Sequence, residues 1–231
     1  MLTGMRTSAV TTLLAGTLAI ALCGDAHVLL PAPLERFLAR PQDRPRQHTA
    51  VRRLEAHNPK FNKRAWLDAE AVQTDSGTLT YRPIAQGGSE LLLRRVLFAA
   101  LEAERTVLSA PRASSALTPA NYLFDTLSAE QVRIHPRRRD PLLVDGRLTF
   151  LEDGDLAAIE GRLSRTPSFW ITEVRIVREY ARVCGFHLPV RMSSRADVRL
   201  AGESTFSMRY EYLTIDGRPL RDPGAPDRGC S

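Results

Sequence analysis

Between Thr149 and Thr214 apolar and polar residues alternate strand after strand, as an antiparallel sheet with one buried face requires. In Trp170 to Tyr180 one face carries Trp170, Val174, Ile176 and Tyr180, and the other Glu173, Arg175 and Glu179. In Leu188 to Leu200 the split sets Leu188, Val190, Met192, Ala196, Val198 and Leu200 against Arg191, Arg195, Asp197 and Arg199. In Ser204 to Thr214 the inward set is Phe206, Met208, Tyr210 and Tyr212. A slip of one residue would expose the whole apolar row, so the pattern specifies orientation as well as secondary structure.

Upstream, the pattern changes. Leu34, Phe37 and Leu38 share a helical face, as do Val51 and Leu54, which predicts one or two short helices separated by prolines. Ala65 to Thr74, with Trp66 and Val72 on one side, a turn at Asp75-Ser76-Gly77, and Thr78 to Ile84 predict a hairpin. Glu90 to Leu108 predicts a long helix: Leu93, Val96, Leu97, Ala100 and Leu101 form its apolar stripe, and Ser89 is its natural N-cap. Short strands are expected at Tyr122 to Leu127 and Val132 to Pro136. A hairpin turning at Asp145-Gly146, a reversal at Asp153-Gly154-Asp155 and a strand from Leu156 to Arg165 follow. The fold class is therefore α+β: an incomplete antiparallel β-barrel, a strongly curved sheet wrapped around one long and one or two short helices.

A helix of that length cannot roof so wide a sheet, and the uncovered part would leave an apolar cleft. Its expected lining is Trp170, Val174, Ile176, Met192, Phe206, Met208 and Tyr210. Methionine and aromatic side chains adapt to a hydrocarbon chain without demanding hydrogen bonds.

The first residues modify this picture. Arg6, the apolar run Ala9 to Leu22, and the small residues Gly24 and Ala26 read as an export leader cleaved after Ala26. A retained anchor helix is the alternative, and Cys23 leaves lipidation, hence an outer-membrane lipoprotein, open. The expected division is 1–26 leader, 27–48 proline-rich segment, 49–217 folded domain and 218–231 flexible tail, in a periplasmic protein. Cys184 and Cys230 either pair in that oxidising compartment or stay free.

Net charge is +6, carried almost wholly by arginine, since Lys60 and Lys63 are the only lysines. The arginines are dispersed, with one tight run at Arg137-Arg138-Arg139, and stacking aromatics are not interleaved with them. This excludes a nucleic-acid partner and leaves either a solvated exterior or peripheral contact with anionic lipid.

Candidate chemistry is sparse. His27, His48, His57, His135 and His187 are scattered without metal-ligand spacing, and neither a metal nor a cofactor is expected. Gly87, Gly88 and Ser89 could hold an anion on backbone N–H groups at the helix start. Glu152, Asp153 and Asp155 lack the rest of a calcium loop. A hydrolase using His135 or Ser89 ranks last, because no acid, base and nucleophile converge.

Tyr81-Arg82-Pro83-Ile84-Ala85-Gln86-Gly87-Gly88-Ser89 leading into Arg94-Arg95-Val96-Leu97, then Asp145-Gly146, Glu160-Gly161-Arg162-Leu163 and Pro167-Ser168-Phe169-Trp170, resemble bacterial exported proteins grouped with outer-membrane lipoprotein-sorting proteins. The order of elements is similar to periplasmic lipoprotein carriers and receptors of the LolA/LolB type and to the lipid-binding domain of RseB. The resemblance implies a half-barrel with an apolar cavity, no catalysis, and a lipid or lipoprotein acyl chain as partner. The RseB likeness implies an envelope protein partner instead.

Overall fold

The computed structural model describes residues 30–40, 44–109, 116–166, 169, 171–221 and 230; the expected leader and Trp170 lie outside the described residues. Helix α1 (Ala32–Leu38) is followed by β1 (His48–Asn58), β2 (Lys63–Gln73) and β3 (Leu79–Gly88). One long helical stretch comes next, made of α2 (Glu90–Leu92), a π-helical turn (Leu93–Phe98) and α3 (Ala99–Ser109). Eight more strands complete the chain: β4 (Tyr122–Thr126), β5 (Gln131–Pro136), β6 (Val144–Phe150), β7 (Leu156–Leu163), β8 (Ile171–Val183), β9 (Phe186–Val198), β10 (Gly202–Ile215) and β11 (Arg218–Pro219).

All pairings are antiparallel, in one sheet of 11 strands ordered β3-β2-β1-β10-β9-β8-β7-β6-β5-β4, with β11 on β10. Strands consecutive in sequence pair with one another, except that β3 and β4 lie at opposite edges and β10 zips onto β1. The edges β3 and β4 do not pair, so the sheet is not a closed barrel. Edge β3 carries Arg82 and Pro83, both exposed, a charge and a missing N–H that discourage further strand pairing.

Helices lie on one face only, here called inner. Leu92, Leu93, Leu97 and Leu101 of the long helix pack on Leu54, Ala56, Ala65, Leu67, Met208 and Tyr210. Leu34 and Phe37 of α1 fill a second core with residues of β4 to β8, among them Val132, Ile134, Leu148, Phe150, Val174 and Ile176. Each end of the sheet thus has its own helical cover.

Five expectations change. Val51 and Leu54 do not belong to a helix: Ala50, Leu54 and Ala56 alternate inward along β1, and Arg52 between them breaks the apolar pattern. Asp145-Gly146 does not turn, because Gly146 lets β6 run on against Gly161 of β7. Leu200 faces solvent, 81% exposed with φ 67°, in the turn joining β9 to β10. Ser89 stands at the N-cap, but its carbonyl accepts the Leu93 N–H while its side chain makes no cap. Beyond Gly217, where a tail was expected, β11 pairs with β10, Leu220 is buried, and Cys230 is disulfide-bonded to Cys184.

Candidate functional site

The inner face of β9 is where the two covers leave a gap. The long helix lies across β1, β2 and β3, and α1 against β5. Along β9 only Leu188 is buried, while Val190, Met192, Ser194 and Ala196 remain partly open. Register builds the lining row by row. Leu54, Met208, Met192 and Arg178 stand side by side on β1, β10, β9 and β8, and next to them Ala56, Phe206, Ser194 and Ile176.

The structure brings six of the seven expected lining residues to this face. Val174, Ile176, Met208 and Tyr210 are covered by the protein itself, whereas Met192 and Phe206 are only partly buried. Met192 touches both hydrophobic cores and so marks the seam between them.

Two arginines join them. Arg52 projects inward from β1, 2% exposed, with its guanidinium 4.3 Å from the centre of the Tyr210 ring. Its Nε and Nη2 donate to the Glu104 carboxylate at 3.3 and 3.2 Å, and the Tyr81 hydroxyl donates to the same carboxylate at 2.7 Å. Burial works against the Arg52 charge, but Glu104 outweighs it and holds the pKa above the ordinary arginine range. Burial first, then Glu104, push the Tyr81 and Tyr210 phenols upward, so both stay neutral.

Arg178 faces inward from β8 between Ile176 and Tyr180. Its Nη2 reaches the Met192 sulfur at 3.7 Å, and Tyr180, Tyr210 and Glu104 all act on its charge. The Arg178 Nε and the Arg52 Nη1 are shielded from solvent and have no hydrogen-bond partner.

Sequence reading missed both arginines. The available signal was positional, because each sits at an inward step of an alternating strand, where a charge is expensive unless something receives it.

The opposite, helix-free face carries a groove of about 870 Å³. Trp66, Glu55, Ser207, Ser193 and Val177 form one cross-strand row there, and Arg64, His57, Thr205, Arg195 and Arg175 the next. Small hydroxyl residues in the middle and large ones at the ends make the hollow. Trp66 is 45% exposed and lies against Gly87, where an added Cβ would stand 2.8 Å from the indole nitrogen. Of the expected cleft residues, only Phe206 also borders this groove.

The remaining candidates are occupied structurally. Gly88, at φ 92°, abuts the Arg64 backbone, and the Ser89 N–H donates to the Arg64 carbonyl at 2.7 Å, so that donor is unavailable to an anion. Asp155 is held by Arg40 and Arg182. His135 on β5 lies 3.0 Å from Asp145 and far along the sheet order from Ser89, so the two do not meet. Arg137 and Arg138 bind Pro119 and Asn121. Among the described residues no cluster of His, Cys, Asp and Glu could hold a metal ion, and no helix is long and apolar enough to cross a membrane. What the fold defines is thus an α+β protein with an open antiparallel sheet, two helical covers, and a seam between them. The chain matches no protein-family model and no curated protein.

Proposed function

We propose that this chain is an exported, non-enzymatic binding protein. It holds a lipid, a lipoprotein acyl chain or another hydrophobic ligand against the inner face of the sheet, in envelope lipid or lipoprotein trafficking. The observation that carries this reading is the seam over β9, where Val190, Met192 and Ala196 are only partly buried between two separate helical covers. A LolA-like half-barrel, its sheet curved around the helices, would widen that seam into a cleft when the covers separate. Each methylene buried there contributes about 0.8 kcal/mol, so a dozen carbons gain roughly 10 kcal/mol before the ordering costs of binding.

Native mass spectrometry of the protein isolated from its own envelope tests the proposal, together with titration by a fluorescent fatty-acid probe. Bound lipid, and probe affinity that falls when Met192→Asp places a charge in the seam, are the expected results. A protein that is always empty and ignores the probe would refute it.

A second reading, an envelope sensor or scaffold that docks a protein partner, is favoured by the outer groove. There an exposed Trp66 sits among Arg64, Arg175 and Arg195, residue types that anchor protein interfaces. The charge selects a carboxylate-bearing segment. Envelope cross-linking distinguishes the two: a stoichiometric partner lost in Trp66→Ala but kept in Met192→Asp supports the scaffold.

A further inference from the structure

Resting on the reading above, we propose that the ligand of the inner face is an anionic amphiphile. Its carboxylate or phosphate head group is received by the Arg178 guanidinium, with Arg52 supplying the second positive charge, while its hydrocarbon chain lies along Met192, Met208 and Phe206.

A guanidinium taken out of water loses its hydration and persists inside only where an anion or several acceptors replace that hydration. Arg52 has a partial replacement in Glu104. Both of its bonds use the Glu104 carboxylate, which also accepts from Tyr81, so Glu104 is already engaged three times over. Arg178 has no carboxylate partner: among the described residues no carboxylate forms an ion pair with it, and its guanidinium is left with the neighbouring Tyr180 side chain and the Met192 thioether, a weak acceptor. Its Nε and the Arg52 Nη1 remain unbonded and shielded.

The cluster of Arg52, Arg178 and Glu104 therefore carries one positive charge in excess within an apolar lining. An anion seated at Arg178 cancels that excess and accepts the free N–H groups, and charge-assisted bonds of this kind are the stronger ones. The Tyr180 and Ser194 side chains, on the same face, bring no carboxylate to oppose it.

The remaining direction is set by register. On β9, β10 and β1, Arg178 is followed by Met192, Met208 and Leu54; on β7, β6 and β5 it is followed by Ile159, Leu148 and Val132, of which Leu148 and Val132 are sealed in the core under α1, so the partly open apolar track runs from the guanidinium toward Met192. A charged group with a partly open apolar track leading from it on one side describes an amphiphile rather than a free anion or a neutral oil. Met192, unbranched and flexible, can swing off Arg178 to admit the head.

Calorimetric titration of the full-length protein with dodecanoate, dodecyl phosphate and dodecanol, each below its micelle concentration, tests this. Both anions are expected to bind about tenfold or more tightly than the alcohol. Arg178→Gln is expected to erase that preference while leaving the alcohol affinity in place, and Arg178→Lys to retain part of it. The tighter of the two anions identifies the source as fatty acid or phosphate ester. Equal affinities for anions and alcohol in the wild type overturn the head-group assignment and leave the hydrophobic-ligand reading standing. Undiminished preference in Arg178→Gln, with its thermal melt unchanged, overturns the role of Arg178. No binding of any of the three overturns both readings.

Discussion

Gly146 and Gly161 face each other across β6 and β7 at a backbone distance that admits no side chain. A Cβ on Gly146 would run into the Glu160 carbonyl oxygen and stand 2.6 Å from the Gly161 Cα. Backbone cannot give way there without breaking the ladder. Gly146→Ala is expected to destabilise the fold by about 2–3 kcal/mol or more, read as a lower midpoint in urea denaturation. A wild-type midpoint would mean that β6 and β7 are not paired in this register.

That pair also explains which parts of the fold were legible. Asp-Gly is the default signal of a tight turn, and only the strand across the ladder reveals that Gly146 is a point of close approach. The strands β8 to β10 were readable because each has one apolar face: Val174 with Ile176, Leu188 with Met192, Met208 with Tyr210 and Tyr212. The long helix was readable from its stripe, whose Leu93, Leu97 and Leu101 are buried. In β1 an inward Arg52 interrupts the apolar steps, so the three-residue spacing of Val51 and Leu54 imitated a helix turn. In β8 the apolar members of the inner face were recognised and Arg178 among them was passed over. The pairing of β1 with β10 joins chain ends that local periodicity does not link. The candidate site was hidden in part for the same reason, since Arg52 meets Tyr210 only through that pairing.

His48 opens β1 buried, packed edge-on against Tyr212 at 5.4 Å, and neither ring nitrogen has a hydrogen-bond partner. Burial, reinforced by the nearby Arg52 charge and opposed by Glu104 and Asp216, lowers its pKa from 6.5 to about 4. The folded protein therefore keeps the ring neutral while the unfolded chain protonates below its own, higher pKa. Stability contributed by the neutral ring is full above pH 6.5 and is lost as pH falls from there to about 4, by roughly 3 kcal/mol in all. His48→Phe keeps the packing, removes two unsatisfied nitrogens, and is expected to flatten the slope of stability against pH in that window. An unchanged slope, measured by denaturant titration at several pH values, would place the acid sensitivity elsewhere, with His187 the next candidate because burial lowers it too.

Asp155 is the anchor that fixes α1 to the sheet. Its buried carboxylate receives Arg40 from the end of α1 at 2.6 Å and Arg182 from β8 at 2.7 and 2.5 Å, while Arg40 also donates to the Asp153 carbonyl. Burial alone would raise the Asp155 pKa, but Arg182 and then Arg40 outweigh it and hold it below the ordinary value. The contribution of this carboxylate is present above its unfolded pKa and is lost as pH falls through the lower folded one, so it disappears at more acid pH than that of His48. Asp155→Asn is expected to cost about 2–3 kcal/mol, less than a wholly dry pair because both arginines are partly exposed. Hydrogen exchange at the Glu35 and Ala39 amides should accelerate more than exchange in β1. Uniform acceleration would argue that α1 is held by Leu34 and Phe37 alone.

Cys184 and Cys230 close a covalent loop with a sequence separation of 46, and the isolated bridge between Leu220 and Cys230 lies inside it. Cys184 sits at the β8–β9 turn, with φ 52°, and both cysteines pack beside the core under the long helix. Constraining a loop of that length in the unfolded chain stabilises the fold by about 4 kcal/mol on the chain-entropy account. Cys230→Ser should therefore lower the thermal midpoint by several degrees or more, and reductant should do the same to the wild type but not to the variant. Loss of the bridge also frees the segment that holds Leu220, so limited proteolysis should cut after Arg221 in the variant well before it does in the oxidised protein. Labelling of free thiols checks the premise, because Cys184 and Cys230 should both resist alkylation in the oxidised protein. A reactive Cys184 in protein purified from an oxidising compartment would exclude the bridge.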